Sequence, residues 1–125
     1  MINNNVPAIC IGIIENGQIA SVQVEGVIQG NLEARQNTIF DVASLTKSIT
    51  TLLTMQLVQD NSRKLDEPLE KYWIDPDVKE DVFHKKITTR HVLAHRTGFP
   101  NWRWMNDDNK LEFQFEPGTK FQYSG

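Results

Sequence analysis

The sequence has 125 residues, of which 39% are hydrophobic and 23% charged, with a formal net charge of -3. Isoleucine, leucine, valine and phenylalanine supply 35 of them, above the roughly 20% floor below which chains stay disordered, so the length fits one domain with a core. The basic residues are scattered rather than gathered into a stripe, which excludes the usual footprint of a nucleic-acid binder, and a single cysteine, Cys10, excludes an intrachain disulfide and thiolate metal clusters.

The longest apolar stretch, Val6 to Ile14, is too short to span a bilayer, and the polar start Met1 to Asn5 lacks the positive flank of a secretory signal. The expectation is a chain with no membrane span, its compartment left open. Ala8 to Ile14 is an unbroken β-rich run, with Cys10 expected as a small buried hydrophobe. Asn16-Gly17 comes next, then an alternating segment from Ser21 to Glu25. Asn-Gly between two such runs signals a hairpin, because both residues accept the positive φ of a type I′ turn. The first strand reads as buried on both faces and the second as exposed on one.

From Ala43 the period changes. Ile49, Leu52, Leu53, Met55, Leu57 and Val58 fall at spacings of three and four, predicting a core helix that stops at Asp60-Asn61 with Asn61 as a left-handed cap. Asp66 is placed to cap a short helix through Trp73, with Pro68 in its first turn and a loop at Asp75-Pro76 after it. Thr88 or Thr89 is placed to cap another helix ending near Arg96, with Gly98 as its stop. A Trp102 and Trp104 loop, a Pro117-Gly118 turn and alternating Phe121 and Tyr123 close the chain.

Ser44 and Lys47 stand three apart at the start of the core helix, so a hydroxyl and an amine share one face. An amine that is kept neutral part of the time can take the serine proton, and the helix N-terminus favours a developing anion while leaving the Ser44 N–H without an intrahelical partner. Five serines and eight lysines give about 0.3 such pairs by chance, so spacing alone favours a serine cap beside a solvated lysine.

The surrounding string is more specific. Ile39-Phe40-Asp41-Val42-Ala43-Ser44-Leu45-Thr46-Lys47-Ser48-Ile49-Thr50 resembles the nucleophile helix of the serine β-lactamase and penicillin-binding-protein superfamily, in its class C, esterase and D-aminopeptidase-like branch. Val6 to Gly17 is similar to that family's opening strand and turn, and Lys64 to Tyr72 to the segment after its nucleophile helix. Ile87-Thr88-Thr89-Arg90-His91-Val92-Leu93-Ala94-His95-Arg96-Thr97-Gly98-Phe99 resembles its I-T-I-R-H-L-L-T-H-T-S-G-L stretch, and Glu116 to Ser124 the approach to its second catalytic motif. Five pieces in one order cover essentially the whole chain.

The resemblance implies an α+β fold: an antiparallel sheet flanked by helices, with an all-helical subdomain. Residues 1–42 would supply N-terminal strands and a connection, and residues 43–125 the nucleophile helix and helical region of a single incomplete domain. It also implies a serine hydrolase working through an acyl-enzyme on a β-lactam, D-alanyl peptide or small ester. Ser44 would be the nucleophile, Lys47 its base or proton partner, and Tyr123 the phenol that shuttles the leaving group's proton. Tyr123 would need a depressed pKa for that role. No cofactor or metal is implied; the partner would be a small-molecule or peptide substrate, and relatives are often periplasmic or envelope-associated.

Gly125 stands where the family most often has asparagine, which puts one substrate contact in doubt. The third motif, K-T-G or H-x-G, and the strand giving a second oxyanion N–H are not in these residues, so the expectation is a truncated chain without useful turnover. Two alternatives stand beside it: a non-catalytic peptide- or peptidoglycan-binding relative, and a homodimeric scaffold whose sheet a second chain completes. His91 and His95 are i, i+4 on one helix, but with His84 they lack a carboxylate at ligand spacing, so a structural role is expected. Trp102, Trp104, Phe113 and Phe115 are expected to pack rather than line a substrate pocket.

Overall fold

The computed structural model describes residues 6–125, which fall into two compact units, one ending at Asp41 and the other running from Val42 to Gly125. In the first, strands β1 (Ala8–Glu15) and β2 (Gln18–Gly26) pair antiparallel. The turn between them is the expected one: Asn16 and Gly17 have φ of 52° and 76°. A bulge between Ile13 and Ile14 passes Ala20 without a partner and restores the register at Ile14 and Ile19.

The β2 alternation holds, with Val22 and Val24 half-buried and Gln23 and Glu25 exposed. The expected burial of β1 does not. Ile11 and Ile13 are exposed, and so is Cys10, which is a surface thiol and not a core hydrophobe. The cause is the sheet itself: among the described residues it has two strands, and a two-stranded hairpin buries little of its own apolar surface.

In the second unit, a 3-10 turn (Ala43–Leu45) leads into α1 (Thr46–Gln59). It is capped at Asp60, and Asn61, at φ 64°, is the left-handed residue that ends it, as the sequence indicates. Ile49, Leu52 and Leu53 are more than half exposed, so α1 is not a buried core helix among the described residues. The packed centre lies further along, at Val78 and Ile87, with Phe113 edge-on to Phe83 and 4.5 Å from Phe99 between ring centroids.

Asp66 does not cap a helix. Arg90 takes its carboxylate in a two-pronged ion pair at 2.6 and 2.8 Å, a stronger partner than a backbone N–H, and the next residues form only a 3-10 turn at Leu69–Lys71. Helix α2 (Thr89–Leu93) is capped by Thr88, whose hydroxyl accepts from the His91 N–H. It ends three residues before Arg96. His95 adopts φ 52°, with its N–H bonded to the Val92 carbonyl and the Arg96 N–H to the His91 carbonyl. That is a Schellman stop with histidine where glycine is usual. Gly98, at φ 90°, makes a second turn within the loop beyond it.

Candidate active site

Three elements converge on one cleft: the start of α1, the turn after α2, and the segment around Tyr123. Ala43, just before the serine, has φ 42°, a left-handed conformation that costs a non-glycine residue about 1–2 kcal/mol. It sets the angle at which Ser44 leaves the chain for the helix. One turn on, the Lys47 ammonium donates to Ser44 Oγ at 3.3 Å. The spacing that chance alone would allow is therefore a contact.

Tyr123 joins them. Lys47 Nζ lies 5.1 Å from the centroid of its ring. Hydrogen bonding with Ser44 first, and with Lys47 second, holds the phenol below its ordinary range against the opposing effect of desolvation, with the lysine charge adding to the fall. The structure thus brings together all three residues singled out from the sequence.

The cleft has a volume of about 460 Å³. Thr46, Thr50 and Thr51 form its α1 wall, the latter two donating their hydroxyls to the Thr46 and Lys47 carbonyls. Leu93 and His95 form a second wall, and Ser124 and Gly125 a third. Trp102 also lines it, so one of the four aromatics expected only to pack faces the cleft, whereas Phe113 belongs to the core. Gly125 is explained by its neighbours. A Cβ there would stand 2.5 Å from the Asn101 carbonyl oxygen, which accepts the Gly125 N–H at 3.1 Å.

The three histidines lie in different settings. His84 pairs with Glu70 at 3.2 Å, His91 Nδ1 meets the Lys86 carbonyl, and His95 stacks on Tyr123. Among the described residues no group of three or more histidine, cysteine or carboxylate side chains is placed to hold a metal ion. Sequence reasoning missed the ion network in which the Arg103 guanidinium forks onto Asp75 and Asp77, tying the Trp102 loop to the core. Asp75 opens an Asx-like turn before a proline, the one local signal for it. It also missed His95 as a wall of the cleft.

Comparison with known proteins gives a consistent result. The Beta-lactamase family model matches residues 1–125. Protein flp of Staphylococcus aureus (strain NCTC 8325 / PS 47) is 24% identical over 137 aligned positions, covering 96% of this chain and 28% of that protein. Esterase EstB of Burkholderia gladioli is 28% identical over 95 positions, covering 72% of this chain and 24% of the esterase. The D-amino acid amidase of Ochrobactrum anthropi SV3, solved with D-phenylalanine, superposes with a TM-score of 0.75 at 23% identity, over 98% of this chain and 38% of the amidase. That superposition shows the fold. The chain spans under a third of the length of the curated relatives it matches.

Proposed function

The chain belongs to the β-lactamase family, and from that premise we propose that residues 44, 47 and 123 serve a serine hydrolase acting by acyl transfer. The observation that carries the reading is the contact of Lys47 Nζ with Ser44 Oγ at 3.3 Å beside a phenol whose pKa is lowered by those same two groups. Ser44 Oγ attacks the carbonyl carbon of the substrate and passes its proton to the Tyr123 oxygen. Lys47, donating to Ser44 Oγ and lying close to the phenol ring, supplies the positive charge that stabilises the phenolate.

The oxyanion forms beside the 3-10 turn that leads into α1, where the Ser44 N–H is the donor this reading assigns to it. As the C–N or C–O bond breaks, the leaving amine or alkoxide takes the proton from Tyr123. Water then hydrolyses the serine ester by the reverse route. The relatives include an esterase and an amidase, and the substrate class proposed for this cleft is correspondingly a carboxylic ester, a D-configured amide or a β-lactam.

The test is a stopped-flow burst with a p-nitrophenyl ester. A burst of one equivalent that is abolished in Ser44→Ala is the expected result. A burst that survives Ser44→Ala overturns the assignment.

A further inference from the structure

His95 is assigned to no step of the proposed reaction, yet its geometry is among the most constrained in the molecule. It is a non-glycine residue held at φ 52° in the last position of the α2 stop. Glycine or asparagine would occupy such a place without strain, and a strained conformation that persists is held by its surroundings, often at a working site. Three separate contacts run from this one residue to the segment around Tyr123. Its carbonyl accepts the Gln122 N–H at 2.9 Å, its ring Nδ1 accepts the Ser124 N–H at 3.2 Å, and its ring stacks on Tyr123 at 4.5 Å between centroids and 28° between planes.

We infer that His95 is the positioning residue for Tyr123: it grips the backbone on both sides of the tyrosine and presses on its ring, fixing the phenol against Ser44 and Lys47. The contacts cooperate by geometry. Bonding the N–H groups of Gln122 and Ser124 from one residue holds the backbone on both sides of Tyr123 and so limits the direction in which its side chain points. The stack then sets the tilt of the ring, and Phe121 closes the other edge of the imidazole at 6.0 Å.

The clamp rests on a braced support. Ser124 Oγ donates to the Pro100 carbonyl at 3.0 Å, and the Gly118 N–H donates to the Arg96 carbonyl at 2.8 Å, while the Arg96 guanidinium returns a bond to the Gly118 carbonyl. The 95–101 loop and the 118–125 segment are thus laced together on either side of the histidine. Because Nδ1 accepts a backbone N–H, the neutral ring carries its proton on Nε2. The titratable groups set against Tyr123 are Lys47 from α1 and His95 from the α2 stop, with the Ser44 hydroxyl beside them.

This inference rests on the proposed role of Tyr123, and its test does not need turnover. The ¹³Cζ titration of Tyr123 and the ¹⁵N shifts of the His95 ring are recorded on the 125-residue chain, wild type and variants. The wild type is expected to show Nδ1 without a proton, and a Tyr123 midpoint below that of a free tyrosine. His95→Ala releases the phenol and brings the midpoint back toward the free value. His95→Asn, which tolerates the left-handed backbone and offers an amide oxygen to the Ser124 N–H, falls between the two.

An Nδ1–H tautomer in the wild type overturns the inference, as does a Tyr123 midpoint unmoved in either variant; if His95→Ala does not fold, the asparagine variant and the wild-type tautomer still decide. A purely structural histidine would leave the phenol titration alone. Should Ser44 never acylate while the titration shows the expected order, the reaction assignment fails and the clamp stands.

Discussion

Replacing Gly98 by alanine tests whether the loop that carries the clamp is built as described. Gly98 sits at φ 90°, and a Cβ there would lie 2.2 Å from the Phe115 carbonyl oxygen, a separation at which something must move. The unfavourable backbone region costs alanine about 1–2 kcal/mol. Relieving the contact takes a shift of roughly 1 Å between two backbone segments held by the Gln114 N–H to Gly98 carbonyl bond at 2.8 Å, and losing that bond adds about 1 kcal/mol. Together these give about 2–3 kcal/mol. With urea m-values of about 1–3 kcal/mol/M, the midpoint should fall by roughly 1–3 M, or the cooperative transition should vanish. Gly98→Asn separates the two causes: it tolerates the backbone but carries the same Cβ, so it should lose most of the same stability. A midpoint within about 0.3 M of wild type for Gly98→Ala would refute the packing argument.

The same geometry makes other outcomes testable. Lys47→Met and Tyr123→Phe should each slow acylation of Ser44 by about 10² or more, the usual contribution of a positioned proton-transfer group, measured by single-turnover labelling. In wild type the acylation rate should rise with pH to a midpoint below the ordinary phenol value near 10, because Ser44 and Lys47 lower the Tyr123 pKa, and Tyr123→Phe should flatten that limb. Asp75 is buried. Desolvation raises its pKa, but the Arg103 hydrogen bond and charge, with the Asp77 N–H, outweigh it and hold the carboxyl below its usual range. A depressed folded pKa contributes stability that is present above the unfolded value of about 3.9 and lost as pH falls through the folded one. Asp75→Asn should therefore lower stability at neutral pH by about 1 kcal/mol and blunt the acid limb below about pH 4 of a denaturation series, with an unchanged limb counting against the network.

Much of this site is legible in the residues themselves. Ser44 and Lys47 are separated by one helical turn, so their contact is a consequence of helix geometry once α1 exists. Asn16-Gly17 and Asn61 carry their backbone conformations in their chemistry, which is why the hairpin turn and the end of α1 fall where the sequence places them. Tyr123 is reachable only through family likeness, since nothing local tells a strand-end tyrosine to meet a serine 79 positions before it.

The features that the sequence does not disclose depend on long-range partners. Asp66 has the chemistry of a cap, but Arg90, 24 residues away, binds its carboxylate more strongly than a backbone N–H can. His95 ends α2 in a conformation that histidine seldom adopts, so a glycine three residues later reads as the stop. The β1 isoleucines read as buried because burial is inferred from side chains, whereas it is conferred by partners, and the two-stranded sheet of the described residues buries little by itself.

The most direct measurement is peptide mapping of the chain after incubation with a fluorescent penicillin. The account predicts a single covalent adduct on the peptide carrying Ser44, lost in Ser44→Ala and strongly slowed in Lys47→Met. An adduct on another residue, or labelling of Ser44 that is indifferent to both Lys47 and Tyr123, would contradict it.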